Sequence, residues 1–324
     1  MLNLPLFYFT YFTLVFVLSI LMNGLFLRFS KTLGVRKSEG TIRWSDVYKP
    51  ALGGITFYIT FLLSLITYSL FFGSSQFLMH SEILGLLAGC TIAFLMGLAD
   101  DAYDTNPILK FSTQVFCGII LIFSGIYIQV FSNIYLDYMV TMLWVIGLMN
   151  AINLLDNMDA IASIVVLGAL STMISLLLIE KSLTSTIFFI LMLGTSSCIL
   201  GFLFFNWHPS KMFMGDTGTQ FLGLFMAALS IMFLWNATAS SIPLPPEKRI
   251  LSAILTFALP IIDTTVVFFN RLLKGSSPFK GGKDHTTHHL FYLGLKEPHI
   301  AVLYIIYTGI CLTCVVFMLS LIHI

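Results

Sequence analysis

Ten apolar stretches follow one another along the 324 residues, separated by short polar intervals, and little but a bundle of membrane-crossing helices can accommodate them. They cover residues 5–27, 52–72, 83–98, 111–131, 136–149, 161–179, 187–205, 221–235, 250–272 and 300–321. The third, fifth and eighth fall short of the about 20 residues that span a bilayer as a helix. With 58% hydrophobic and 10% charged residues, no soluble core could hide this much apolar surface. The expectation is an all-α polytopic membrane protein with about ten transmembrane helices, forming one integral-membrane domain over residues 1–324. Pro260 predicts a kink in the ninth stretch, and Asp263, one turn later, reads as a hydrogen-bonded structural acid.

Charge distribution orients the bundle. Of sixteen Lys and Arg residues, all but Lys181, Lys248 and Arg249 fall in the intervals that follow odd-numbered stretches. Under the positive-inside rule those intervals are cytoplasmic and both termini face out. No cleavable signal is expected, because the first stretch has no basic residues before it. The five cysteines all sit in apolar runs, so no disulfide framework is indicated, and the C-x-x-C spacing of Cys311 and Cys314 reads as filler.

Every polar cluster with chemical capacity lies on the face assigned to the cytoplasm: 49–54, 100–110, 150–159, 206–218 and 280–289. The first signal is Asp100, Asp101 and Asp104, at the end of an apolar run. An acid deep in hydrocarbon costs about 2.5–3.5 kcal/mol on the insertion scale, so such a cluster persists at an interface, in a polar cavity or around a cation. Two adjacent carboxylates with a third one turn away suit Mg²⁺. A solvated helix end is the alternative that these residues alone leave open.

The interval 206–218 combines a helix-stopping Pro209, the small residues Gly215 and Gly218, and the lone carboxylate Asp216. The helix start that follows offers free N–H groups to an anion, although an interfacial turn would read the same way. Asn153, Asp156 and Asp159 are spaced three apart, close to one face if helical, and suit a metal, a base or ribose hydroxyls. In K-G-G-K-D-H-T-T-H-H at 280–289, His285 and His289 have a zinc-ligand spacing. No Glu follows as a general base, however, and Lys280 and Lys283 oppose a cation while suiting a diphosphate. Histidines donating to phosphate oxygens are the preferred reading.

Taken together these residues resemble a known family. K-P-A-L-G-G at 49–54, G-L-A-D-D at 97–101, L-K-F-S-T-Q at 109–114, N-A-I-N-L-L-D-N-M-D at 150–159, F-N-W-H-P-S-K-M-F-M-G-D-T-G at 205–218 and S-P-F…D-H-T-T-H-H-L at 277–290 are similar, in this order, to motifs of the polyprenyl-phosphate N-acetylhexosamine-1-phosphate transferases, the glycosyltransferase 4 family. The resemblance implies a ten-helix fold with its active site on the cytoplasmic face of the bacterial inner membrane. It implies transfer of a sugar 1-phosphate from a UDP-N-acetylhexosamine to undecaprenyl phosphate, with release of UMP, as the first membrane step of cell-surface polysaccharide synthesis. N-acetylglucosamine is the default sugar, because the muramoyl-pentapeptide enzymes generally carry a triple-histidine loop. A homodimer is left open, and no nucleic-acid partner is expected.

For the site, the resemblance implies Mg²⁺, with Mn²⁺ as the alternative ion, held by Asp101 and Asp216. Asp100 would take the last proton of the lipid phosphate or attack the β-phosphate itself. His288 and His289 would hold phosphate, with His285 beside them. Lys49, Lys110, Lys280 and Lys283 would contact phosphates, while Asn153, Asp156 and Asp159 would read the nucleotide or support the metal. Two departures stand out. The family commonly has D-G-x-D-G where this chain has Asn157 and Ala160, and its histidine run is tighter than the spacing of His285 and His288.

Two other classes compete. D-D-x-x-D at 100–104 is also how intramembrane prenyltransferases hold a diphosphate through Mg²⁺, but that class gives no reason for F-M-G-D-T-G or a His-rich last loop. A transporter needs acids along a path through the bilayer, and only Asp263 is so placed.

Overall fold

A backbone crossing hydrocarbon must satisfy its own N–H and C=O groups, and helices do so within one segment. The computed structural model describes residues 3–30, 49–72, 80–179, 187–239, 242–275 and 282–320. Among these, twelve α-helices account for nearly all ordered structure: α1 Leu4–Phe29, α2 Gly53–Phe71, α3 Ser81–Tyr103, α4 Pro107–Phe123, α5 Ile134–Leu155, α6 Ile161–Ile179, α7 Ile187–Asn206, α8 Gly215–Ser230, α9 Pro246–Thr256, α10 Ala258–Leu273, α11 Thr286–Tyr292 and α12 Glu297–Ser320. A π-helical turn, Ile231–Trp235, extends α8, and a two-residue pairing of Thr238–Ala239 with Ile242–Pro243 is the only sheet among the described residues.

Each expected apolar stretch has a helical counterpart. Eight helices are long and apolar enough to cross a membrane, and α9 with α10 makes a ninth if a 72° bend is allowed within one span. The remaining stretch is α4, a shorter apolar helix of 17 residues. The break in the ninth stretch falls at Phe257, not at Pro260 where the kink was expected. Pro260 lies in the first turn of α10, where its missing N–H removes no intrahelical hydrogen bond.

The stretches that looked short are full spans, because their polar ends are helical too. α3 runs 23 residues and includes Asp100 and Asp101 in its last turn. α5 runs 22 residues and includes Asn150 and Asn153. α8 opens at Gly215, so Asp216 stands in its first turn. Hydropathy stops at the first acid or amide, whereas the backbone ladder does not.

α8 forms the axis. Its span is 89% buried, against 17% for α1 and 28% for α12, which lie at the periphery. It packs on α3, α5 and α2. The approach of α3 to α8 is backbone on backbone: a Cβ on Gly97 would stand 2.3 Å from the Asp216 carbonyl oxygen, so only glycine fits. Elsewhere small polar side chains join the helices, as expected where lipid removes the hydrophobic drive for helix pairing. Tyr11 bonds Ser64 at 2.6 Å, Ser19 donates to the Cys198 carbonyl at 2.7 Å, and Thr56 donates to Asn23 at 3.1 Å. All five cysteines are free thiols.

Candidate active site

Four helix ends meet at one end of the bundle: the last turns of α3 and α5 and the first turns of α4 and α8. The start of α8 exposes backbone N–H groups that carry positive partial charge, and its N-cap residue, Met214, has no side-chain acceptor to give. Asp101 of α3 supplies it. Its Oδ1 accepts from the Asp216 N–H at 2.9 Å, and its Oδ2 from the Thr217 N–H at 2.8 Å and the Thr217 hydroxyl at 2.6 Å. Gly215 turns the chain into α8 at φ 76°, and a Cβ there would strike Asp101 Oδ2 at 2.6 Å.

Asp100, the adjacent residue, faces a different set. Its Oδ1 accepts the backbone N–H of Thr105 at 2.9 Å and the Thr105 hydroxyl, and its Oδ2 meets Lys110 Nζ at 2.8 Å. Lys110 is in place because Asn106 caps α4, accepting the Ile108 N–H at 2.9 Å, with Pro107 at the first helical position. The same ammonium donates to Asp216 Oδ1 at 2.6 Å and to Asn153 Oδ1 at 3.5 Å. Asn153 in turn donates through Nδ2 to Asp216 and, at 2.7 Å, to the Thr219 hydroxyl. Asp104 closes α3 in the left-handed conformation, φ 53°, and is exposed.

One helical turn deeper, three of these four helices carry amides. Gln114 of α4 exchanges hydrogen bonds with Asn150 of α5 and donates to Gln220 of α8 at 3.1 Å. These amides close the charged layer off from the apolar core with neutral groups.

A second cluster adjoins the first. Asp159 accepts from the Ser210 N–H at 2.9 Å and the Ser210 hydroxyl at 2.7 Å, and holds His208 Nδ1 at 3.2 Å and Lys49 Nζ at 3.6 Å. Lys49 also donates to Ser210 at 2.8 Å and stands 5.0 Å from the Phe213 ring centre. The segment around Lys49 is itself joined to the loop before α8, the Phe213 N–H donating to the Pro50 carbonyl at 2.9 Å. His208 Nδ1 reaches Glu297 of α12 at 2.9 Å. Asp159, His208 and Glu297 bring ligand atoms within 4.8 Å of one another, but with Lys49 alongside, ion pairing accounts for the group without a metal.

The third cluster surrounds α11. Arg271 of α10 makes a two-pronged pair with Asp284, at 2.8 and 2.7 Å, which holds that carboxyl below its usual range. Asp263, fully buried, binds His285 Nδ1 at 2.8 Å and accepts the Thr286 N–H and hydroxyl, each at 2.7 Å. The structural part expected of Asp263 is therefore to anchor the histidine segment. His285 is the N-cap of α11, its backbone N–H donating to His288 Nδ1 at 3.4 Å. His285 and His288 are buried and His289 is exposed, so the zinc-like spacing of His285 and His289 does not become a shared face. Burial, and then the nearby His285, pushes the His288 imidazole down to about 4, leaving it neutral at pH 7.

Of the other expected residues, Asp156 is the half-buried C-cap of α5, Lys283 is exposed, and Lys280 lies outside the described residues. Asp100, Lys110, Asn153 and Asp216 share one hydrogen-bonded cluster, with Asp101 bonded to it through the start of α8. Thr105, Thr217, Thr219, Gln220 and Glu297 were not anticipated. Gln220 had a readable signal, lying one helical turn from Asp216 on an α8 that begins at Gly215, but Glu297 had none.

Asp100, Asp101 and Asp216 gather here with a single ammonium group, that of Lys110, and this excess of hard carboxylate oxygens is a donor set that fits a divalent cation such as Mg²⁺. Asp101 has both oxygens engaged by α8. Asp100 and Asp216 are the pair already gathered around a positive charge, and the Asp216 side chain is 33% exposed against 11% for Asp100.

The family described as Glycosyl transferase family 4 matches residues 83–234, from α3 into the π turn. The chain is 30% identical over 273 residues to the "Probable undecaprenyl-phosphate N-acetylglucosaminyl 1-phosphate transferase" of Bacillus subtilis (strain 168), an alignment covering 81% of this chain and 71% of the relative. It is 26% identical over 286 residues to the "Decaprenyl-phosphate N-acetylglucosaminephosphotransferase" of Mycobacterium leprae (strain TN), with the same coverage of 81% and 71%. A "Phospho-N-acetylmuramoyl-pentapeptide-transferase" of Streptococcus agalactiae serotype Ia is 29% identical over 232 residues, 63% of this chain and 67% of the relative.

Proposed function

The chain belongs to glycosyl transferase family 4, and from that premise we propose that it transfers N-acetylglucosamine 1-phosphate from UDP-N-acetylglucosamine to undecaprenyl phosphate, releasing UMP. An oxygen of the lipid phosphate attacks the β-phosphorus of the donor; that P–O bond forms as the β-phosphorus bond to the bridging oxygen breaks, and UMP carries the bridging oxygen away. The observation that carries the reading is Lys110, held between Asp100 and Asp216 at 2.8 and 2.6 Å with Asn153 beside it. That is a site for bringing anions together across a shared positive charge.

Mg²⁺, or Mn²⁺ in its place, would supply charge neutralisation between the two phosphate substrates and is proposed to be held by Asp101 and Asp216. Asp101 also fixes the helix start that aims Asp216, accepting from the Asp216 and Thr217 N–H groups. A phosphate monoester has its second pKa near about 6, so the acceptor needs little help from a base at neutral pH. Asp100 therefore serves more by holding Lys110 and Thr105 in place than by removing a proton. Lys49 and Lys110 present ammonium groups to phosphate oxygens, and His289, exposed on α11 beside the buried His288, is the histidine placed to meet phosphate. Asn153, Asp156 and Asp159, in the last turn of α5 and the turn after it, would read the nucleotide or support the metal.

The placement proposed is the bacterial inner membrane, with the clustered helix ends on the cytoplasmic side and both termini outside, supported by the bias of basic residues toward that side. Membranes given radiolabelled UDP-N-acetylglucosamine and undecaprenyl phosphate should yield butanol-extractable label with UMP release. Release of UDP, or no label in the lipid phase, would overturn the reading. UDP-N-acetylmuramoyl-pentapeptide in a parallel assay decides the donor.

A further inference from the structure

α11 is seven residues long, too short to hold itself, so its position is set by what its first residues touch. Asp284, His285 and Thr286 are bonded to Arg271 and Asp263, both on α10, the helix that precedes them in the chain. Thr287 is different. Its hydroxyl donates to Asn157 Oδ1 at 2.6 Å, across to the turn between α5 and α6 that carries Asp156 and Asp159. The Asn157 backbone also meets the His288 ring by a hydrogen bond.

The Asn157 amide can take only one orientation. Its other end faces the Leu154 carbonyl at 2.8 Å, which can only accept, so Nδ2 must point there and Oδ1 must face Thr287. The amide is thus clamped between the last turn of α5 and the first turn of α11. Thr287 is fully buried, so no solvent competes for its hydroxyl.

We infer that Asn157 is a positioning residue which, through Thr287 and the buried His288, sets where α11 and its exposed His289 stand against the turn that carries Asp156 and Asp159. His288 is buried, its Nδ1 accepting from the His285 N–H and its ring bonded to the Asn157 backbone, so it locks α11 in place while the exposed His289 faces outward. Displacing α11 therefore weakens donor binding more than it slows the chemical step. The inference rests on the transferase reading above.

The test is a double-mutant cycle in the full-length protein, with Asn157→Ala, Thr287→Val and the double variant assayed for transfer from UDP-N-acetylglucosamine. Each single variant should raise KM for the donor about tenfold with kcat within about threefold, and the double should be no worse than the worse single, as for groups that share one contact. Thr287→Ser keeps the hydroxyl and should restore the parental KM. Multiplying effects in the double variant, or an unchanged KM with only a lower unfolding midpoint, would overturn the inference. A parent protein without transfer activity would overturn the functional reading, whereas an active parent with unaffected variants would overturn this inference alone.

Discussion

Asp101 accepts the backbone N–H of Thr217 at 2.8 Å, so the start of α8 is capped by a carboxylate 116 residues earlier in the chain. Intrachain caps normally come from the residue just before a helix. Here the cap comes from a neighbouring helix, so forming the α3–α8 contact and aiming Asp216 are the same event. The cost of breaking it should appear in stability as well as activity.

Asp101→Asn replaces an acceptor oxygen with an N–H₂ that faces N–H donors. Losing a cap and leaving donors unmet costs about 2–3 kcal/mol. Asp100→Asn leaves the α8 cap intact and weakens one of the two carboxylate contacts to Lys110. In detergent, thermal unfolding should show a fall in midpoint for Asp101→Asn at least twice that for Asp100→Asn. Equal falls would mean that the cap does not hold α8.

Lys110→Met leaves Asp100 and Asp216 facing each other with no ammonium between them. Removing one partner of a largely desolvated pair costs several kcal/mol, and kcat/KM should drop at least about 100-fold. Lys110→Arg keeps the charge, but a planar guanidinium does not point at Asp100, Asp216 and Asn153 as an ammonium does, so recovery should be partial. Full activity in Lys110→Met would exclude the ammonium from the site's chemistry.

Ala160 occupies the left-handed region at φ 67°, where a residue with a Cβ is strained by about 1–2 kcal/mol. Glycine, common at this place in the family, relieves the strain but is freer in the unfolded chain, which offsets about 0.4–1 kcal/mol. Ala160→Gly should therefore be stabilising by up to about 1 kcal/mol, with the N–H still donating to Asn206. Ala160→Val, β-branched and fully buried, should lose more than about 2 kcal/mol. Urea or thermal unfolding checks both signs.

How far the fold was legible follows from which properties are local. Apolar stretches are local, and each became a helix. Helix ends were misjudged wherever a polar residue closed an apolar run, as at Asp100 in α3 and Asn150 in α5, because a carboxylate or amide at a helix end interrupts hydropathy without interrupting the backbone. The division between Asp100 and Asp101 was readable in principle, since neighbours on a helix point about 100° apart and rarely face one ion together. The bond from Asn157 to Thr287 was not, because it depends on how the bend at Phe257 brings α11 back over the turn after α5. The pairing of His208 with Glu297 likewise depends on tertiary packing and has no motif.

His288 makes the pH dependence predictable. Its imidazole sits at about 4, against 6.5 for a free side chain, because burial and then His285 disfavour the charged form. Between those values the unfolded chain binds a proton that the folded site refuses, so stability rises with pH in that window. The contribution is fully present above 6.5 and is lost progressively as the pH falls toward about 4. A His288→Asn variant is neutral throughout and should lack this component. Unfolding midpoints taken at about pH 7.5 and about pH 5 should therefore fall further for the parent than for the variant. Parallel falls would mean that the folded protein protonates His288 as readily as the unfolded chain does, and that burial does not hold the ring neutral.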